Sequence, residues 1–261
     1  MRITAIFNEK GGVGKTITAV NMAAELAARG KRVLVIDADP QCNASFFLGA
    51  EEGAVTLFDY LSGNREPVWD NNISKSNLNG VDILPGDSNM TQLDIKAITH
   101  GDVNLTSLRE LCEVIDADDG YDFVLIDCPP SFTAATTMAL AAVNDVVIPV
   151  KPDSFSIRGM ASLSNQINGM RWINPRIKIA GVLLTMMTRC KVHRLGASSL
   201  RERFSFVYRN EIRNSVKAVE STYEDESSHR CYPLRELLPT QKIDQNIATD
   251  YRDFVAEYLE G

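Results

Sequence analysis

The stretch Ile3-Thr-Ala-Ile-Phe-Asn-Glu-Lys-Gly-Gly-Val-Gly-Lys-Thr16 decides how this chain is read. A short apolar run, Ile3–Asn8, leads into a glycine loop, and a helix-like stretch follows from about Lys15 to Arg29. Within it Val20, Ala23, Ala24 and Ala27 recur at helical spacing, and Gly30 stops the pattern. Strand, glycine loop and helix in that order separate a phosphate-binding loop from a chance glycine cluster. Glycines let successive N–H groups point inward, and the helix N-terminus adds partial positive charge. Lys15 is spaced to reach the β- and γ-phosphates of a nucleotide, and the Thr16 hydroxyl to ligate Mg2+. The usual G-x-x-x-x-G-K-[ST] pattern is altered at its start. Glu9 replaces the first glycine, and a second lysine, Lys10, stands five residues before Lys15.

Outward from the loop, Val33–Asp37, Phe123–Asp127, Asp145–Val150 and Ile179–Thr185 are further apolar runs rich in β-branched residues. Each is bounded by turn or polar residues, as central parallel strands are. Helical patterns lie at about 104–116, 132–143, 156–172 and 194–204. This alternation predicts an α/β fold: a doubly wound, mostly parallel sheet with helices on both faces and right-handed crossovers. The stretch 61–92 is polar and turn-rich, so loops and short elements are expected there. Nothing reads as an interdomain linker, and a single domain over residues 1–261 is expected.

Composition sets the outer bounds. The 261 residues are 44% apolar and 23% charged, which argues against disorder, a fibrous repeat and a disulfide scaffold. No window of about 18 apolar residues predicts a transmembrane helix, and the N-terminal residues lack a signal peptide's apolar core. Five cysteines, an odd number without a C-x-x-C pair, read as reduced thiols of a cytoplasmic protein.

Acid stands where a phosphate site needs it. Asp37 and Asp127 each end a predicted strand, and Asp39 follows two residues beyond Asp37. Ligands of open parallel sheets bind beyond the carboxyl ends of the strands. Asp127 is therefore expected to support Mg2+, and Asp39 to orient an attacking water. Charge is also uneven along the chain. Residues 189–217 hold eight basic side chains, Arg189, Lys191, Arg194, Arg201, Arg203, Arg209, Arg213 and Lys217, against Glu202 and Glu211. On a chain of net charge −7 such an island is either a polyanion surface or a solvated helix face.

Together these segments resemble the ParA/MinD family of deviant Walker ATPases. Lys10–Thr16, with its extra lysine, is similar to the family's Walker A loop. Asp37-Ala-Asp-Pro-Gln-Cys-Asn43 resembles the Walker A′ segment, and Tyr121–Ser131 the Walker B strand and second switch. Val207-Tyr-Arg-Asn-Glu-Ile-Arg213 resembles the later I-P-R-N-x-x-R segment. The likeness runs from about residue 2 to 220. It is nearest to short ParA/Soj partition ATPases without an N-terminal helix-turn-helix domain.

The resemblance implies an ATP- and Mg2+-dependent, slowly hydrolysing switch. Gly11, Gly12, Val13, Gly14, Lys15, Thr16 and Ile17 would hold the nucleotide together with Arg209. Thr16, Asp37 and Asp127 would support Mg2+, and Lys10, Lys15 and Asp39 would serve catalysis. Lys10 is the lysine that crosses to the partner's nucleotide, so ATP binding is expected to drive homodimerisation. Arg189, Arg213 and Lys217 would carry nonspecific DNA binding, with a ParB-like protein stimulating hydrolysis and a nucleoid-associated location.

The sequence departs from the family at Ile17, where threonine is common, at Cys42, where glycine is usual, at Tyr208, where proline is usual, and over 219–240. A MinD-like membrane role is the alternative, and the tail argues against it. Its stripe of Ile247, Tyr251, Phe254 and Tyr258 is flanked by Asp250, Asp253, Glu257 and Glu260, a face an anionic bilayer repels. The stripe is expected to pack on the sheet. An iron–sulfur carrier would need paired cysteines, and Cys128 reads as a small core residue.

Overall fold

Two five-residue runs, Val33–Asp37 and Phe123–Asp127, are buried at every position, so both faces of their sheet are covered. The structure, a computed structural model, describes residues 1–63, 73–101, 103–118, 120–238 and 246–261. In chain order the elements are β1 (Arg2–Ile6), α1 (Lys15–Ala27), β2 (Val33–Asp37), α2 (Asn43–Phe47), α3 (Leu57–Leu61), β3 (Ser74–Lys75), β4 (Val81–Leu84), α4 (Thr91–His100), α5 (Ser107–Ala117) and β5 (Phe123–Asp127). There follow α6 (Ala134–Ala142), β6 (Asp145–Val150), α7 (Ser154–Gly169), β7 (Lys178–Met187), α8 (Lys191–Arg203), β8 (Val207–Arg213), α9 (Val216–Glu220), α10 (Leu234–Leu237) and α11 (Ile247–Glu260). The strands form one sheet in the order β3-β4-β2-β5-β1-β6-β7-β8. Every pairing is parallel except the short edge pair β3–β4.

Alternation along the strands divides the core in two. Leu34, Ile36, Val124, Ile126, Val146 and Ile148 face Leu111, Met138 and Leu163 of α5, α6 and α7. Val33, Val35, Leu125 and Val147 face Val20, Met22 and Leu26 of α1 and the tail helix α11. Tyr251, Phe254 and Tyr258 of α11 are at most 2% exposed, so the apolar stripe of the tail packs against the sheet as expected. No helix among the described residues is long and apolar enough to cross a membrane.

Three elements go beyond what the sequence reading names, the first of them one of the short elements expected within 61–92. Within 61–92 the run Val81–Leu84 is a sheet strand parallel to β2, its pattern interrupted by Asp82. The carboxylate of Asp82 accepts from Tyr121 Oη at 2.8 Å and Lys75 Nζ at 2.9 Å. Residues 64–72 of that stretch lie outside the described residues. The sequence pattern does not point to helix α4, because Ile95 and Ile98 are exposed to solvent and blur its apolar stripe. The sequence marks strand β8 only as a motif. As an edge strand it buries Tyr208 and Ile212 on one face and carries charge on the other.

Two glycines permit close approaches that larger residues would block. A Cβ on Gly181 of β7 would stand 2.5 Å from the Tyr208 ring, which packs edge-on against Phe254 at 5.0 Å between centroids. A Cβ on Gly196 would stand 2.4 Å from the carbonyl oxygen of Pro152, fixing α8 against the chain that enters α7.

Candidate functional site

The order of the sheet reverses at β1, which lies between β5 and β6. In parallel sheets a crevice opens at such a point beyond the carboxyl ends of the strands. The loop after β1 fills it. Gly12 and Gly14 take φ of +68° and +86°, left-handed values that glycine adopts without strain. Nothing lies within 4 Å of where a Cβ would stand on Gly11, Gly12 or Gly14, so the loop is not packed over at these positions. Gly14 precedes the first turn of α1 and offers no side-chain cap, leaving the helix's first N–H groups turned to that space.

Around this cradle four charged side chains are withdrawn from water. Lys15 is 8% exposed, and its Nζ donates to the Lys10 carbonyl at 3.3 Å. Burial lowers its pKa, while Asp127 and Asp39 pull it back up. Asp37 and Asp127 are register partners on β2 and β5, so their carboxyl groups sit side by side. Thr16 Oγ1 donates to Asp127 Oδ2 at 2.6 Å, and the buried Asp127 Oδ1 has no partner. Burial first, and the neighbouring Asp37 second, hold Asp127 well above the usual carboxylate range. Asp37 is pushed up to about 6 by burial, opposed by the amide and hydroxyl of Ser45 at 2.8 and 2.7 Å and the amide of Asp39 at 3.1 Å. Asp39 lies on the loop beyond β2 and accepts from the Gln41 amide at 2.9 Å.

Three carboxylates against one buried ammonium leave surplus negative charge, and one buried oxygen is orphaned. A divalent cation supplies what this set lacks, so the residues fit Mg2+ bound together with a phosphate chain. Among the described residues no group of three His, Cys, Asp or Glu side chains converges to hold a metal unaided. Phosphate and water oxygens would therefore complete the shell around Thr16, with Asp37 and Asp127 behind it.

Lys10 stands apart from Lys15. Its Nζ pairs with Asp153, the residue capping α7, and lies 3.3 Å from Ser156 Oγ. Asp153 is held down to about 2, where the Lys10 ammonium and the Ser156 amide and hydroxyl outweigh partial burial. Val13, whose carbonyl accepts from Thr185 Oγ1 at 2.8 Å, and Ile17 complete the loop's surroundings. Cys42 adopts φ +55°, the left-handed conformation a glycine would take there.

Arg209 is not joined to this group. Its strand lies three spacings from β1, about 14 Å across the sheet. Its guanidinium pairs with Glu257 at 3.2 Å and Glu260 at 3.0 Å on α11. The basic island is likewise less free than its sequence count of charges. Arg201 pairs with Glu211 at 2.7 Å, Arg213 with Asp250 at 2.6 Å, and Lys217 with Glu220. Side chains 37 and 48 residues downstream supply much of this neutralisation, which a count along the chain does not register. Arg189, Lys191 and Arg194 are exposed and have no ion pair among the described residues. Arg189, Arg194, Arg213 and Asp250 line one groove of about 690 Å3 at the carboxyl ends of β7 and β8.

Ser45 and Asp153 are site neighbours that the sequence reading does not name, while Arg194 enters it only within the basic island and Asp250 only as an acid of the tail. Asp153 alone carried a local signal, an N-cap acid three residues before Ser156 in front of a helix.

Comparisons with known proteins show the family. A family profile described as an AAA domain matches residues 1–179. The chromosome partitioning protein ParA of Caulobacter vibrioides is 41% identical over 194 residues, covering 72% of this chain and 71% of that protein. The chromosome-partitioning ATPase Soj of Thermus thermophilus is 39% identical over 191 residues, covering 71% and 70%. Among solved structures, the cobyrinic acid a,c-diamide synthase of Mycobacterium smegmatis with bound ADP and magnesium superimposes with a TM-score of 0.79 at 26% identity, covering 99% of this chain and 94% of that one. With its loop, its strand-end aspartates and these relatives, the chain belongs to the ParA/Soj family of P-loop ATPases.

Proposed function

We propose that this protein is a DNA-partition ATPase in which ATP binding drives dimerisation and nonspecific DNA binding. Slow hydrolysis, stimulated by a ParB-like partner, then resets the switch. The observation that carries this reading is a shared rim. The phosphate loop, Asp37, Asp127, Asp153 and the arginine groove all follow the carboxyl ends of parallel strands, from β2 across to β8. A change at the nucleotide is therefore within a few strand spacings of the surface that would touch DNA.

In this reading Lys15 and the loop amides hold the β- and γ-phosphates. Thr16, with Asp37 and Asp127, would hold Mg2+, which when bound would neutralise charge on the phosphates, and Asp39 orients the attacking water. Lys10 exchanges Asp153 for the partner's γ-phosphate, which makes the dimer depend on ATP. Arg189, Arg213 and Lys217 contact DNA phosphates. The whole chain, 1–261, then acts as a single ATPase domain.

Lys10→Ala separates the roles of the two lysines. Calorimetry should find nucleotide still bound, while light scattering with a nonhydrolysable ATP analogue should find monomer only. A normal ATP dimer of that variant would remove Lys10 from the interface and with it the proposed switch.

A further inference from the structure

The groove of about 690 Å3 holds three arginines and, facing them, a carboxylate of the tail helix. Arg213 grips Asp250 with both prongs of its guanidinium: Nε donates to Oδ2 and Nη2 to Oδ1, each at 2.6 Å. The Arg213 backbone amide adds a third bond to Oδ2 at 3.0 Å. A fork-to-fork arrangement of this kind is how a guanidinium also receives two phosphate oxygens. Asp250 thus stands where one phosphate of a polyanion would sit. The Asp250 side chain is 11% exposed and that of Arg213 is 41% exposed, so the pair lies at the surface of the groove. Glu211, the other acid of the groove, is engaged by Arg201 at 2.7 Å. Arg194 and Arg189 line the same groove without a counter-ion among the described residues.

We propose that Asp250 is an internal competitor for phosphate in the arginine groove, and that Arg194 joins Arg189 in making the groove's unopposed phosphate contacts. The proposal rests on the DNA reading above and concerns how that binding is tuned. Phosphate reaching Arg213 must displace Asp250 or sit against its negative charge, and either route weakens the contact. Arg189 and Arg194 meet no such rival. A subunit then holds DNA weakly on its own, and retention depends on two grooves acting together in one dimer. The competing carboxylate also returns to Arg213 when DNA leaves, which favours release once the dimer separates.

The experiment is a salt titration of DNA retention, on unrelated sequences with a nonhydrolysable ATP analogue, for wild type, Asp250→Asn and Arg194→Ala. Neutralising a competitor should tighten Asp250→Asn roughly five- to tenfold at about 0.1 M salt and steepen the log–log salt slope by about one unit per subunit. Arg194→Ala should weaken binding uniformly across sequences and flatten the slope by about one unit per subunit. Asp250→Ser serves as the second neutralising variant should the asparagine fail to fold, with the same gain expected. Equal or weaker binding by the neutralised variant, with wild type still retained, would overturn the competitor role while leaving the DNA reading intact. An unchanged Arg194→Ala would remove that residue from the groove's contacts. Absence of retention by wild type with any nucleotide would instead overturn the DNA reading, and this proposal with it.

Discussion

Burial gives individual residues their roles in the phosphate site. Among the described residues Lys15 is the one ammonium withdrawn among the Asp37, Asp39 and Asp127 carboxyl groups, and Lys10 is paired with Asp153, so in the proposed function the β- and γ-phosphates would find no substitute for Lys15. Lys15→Ala should abolish tight ATP binding by calorimetry, and unchanged affinity would discard the loop. Asp39→Ala is expected to bind ATP normally but to hydrolyse it about a hundredfold more slowly, the scale of a lost proton acceptor. A wild-type turnover rate would leave Asp39 only the cap it makes to Gln41. Asp37 yields a pH prediction. Its folded pKa of about 6 lies above the usual carboxylate value, so between these values the folded state binds the extra proton. This group's contribution to stability therefore rises as pH falls through about 6. Thermal denaturation without nucleotide should find wild type gaining more than Asp37→Asn between pH 7.5 and pH 5.5, and equal gains would refute the assignment. Cysteines divide by the same logic. The exposed Cys190 thiol is lowered by donors from Thr188 and His193, whereas burial raises Cys42, Cys112, Cys128 and Cys231. Iodoacetamide followed by mass spectrometry should label Cys190 first.

At the scale of elements, propensity and packing disagree most clearly in α8. Gly196 lies inside this helix, where alanine would ordinarily gain about 1 kcal/mol. The 2.4 Å approach of its virtual Cβ to a backbone oxygen predicts the opposite sign for Gly196→Ala, a loss of about 1–3 kcal/mol read as a lower Tm. A higher Tm would mean that α8 is not fixed against Pro152. Such approaches are invisible in a sequence, because the partner, Pro152, is 44 residues away. Legibility of the elements followed burial. Strands covered on both faces, β2, β5 and β6, are unbroken apolar runs and were readable to the residue. Strand β4 is only four residues with an acid in the middle, and β8 alternates charge with packing because one face is solvated. Neither has the signature of a buried strand. The phosphate loop was legible because its chemistry is local: seven consecutive residues carry the cradle, both lysines and the hydroxyl.

Across the whole molecule the legible and the hidden parts separate by sequence distance. The island 189–217 reads as strongly basic along the chain, yet α11 brings Asp250, Glu257 and Glu260 onto β8 from the tail. Among the described residues the island's cations without an ion pair are Arg189, Lys191 and Arg194, at the start of α8 beside the carboxyl end of β7, and Arg203 at its far end. The same folding brings that cationic patch onto the rim that carries the phosphate loop. In the proposed function a polyanion surface and a nucleotide site that share one rim would be the physical basis for a switch, and one measurement tests it most directly. Retention of nonspecific DNA should be compared with a nonhydrolysable ATP analogue, with ADP and without nucleotide, at a series of salt concentrations. The account predicts retention with the ATP analogue alone, weakening steeply as salt rises. Retention of equal strength in all three states would contradict it.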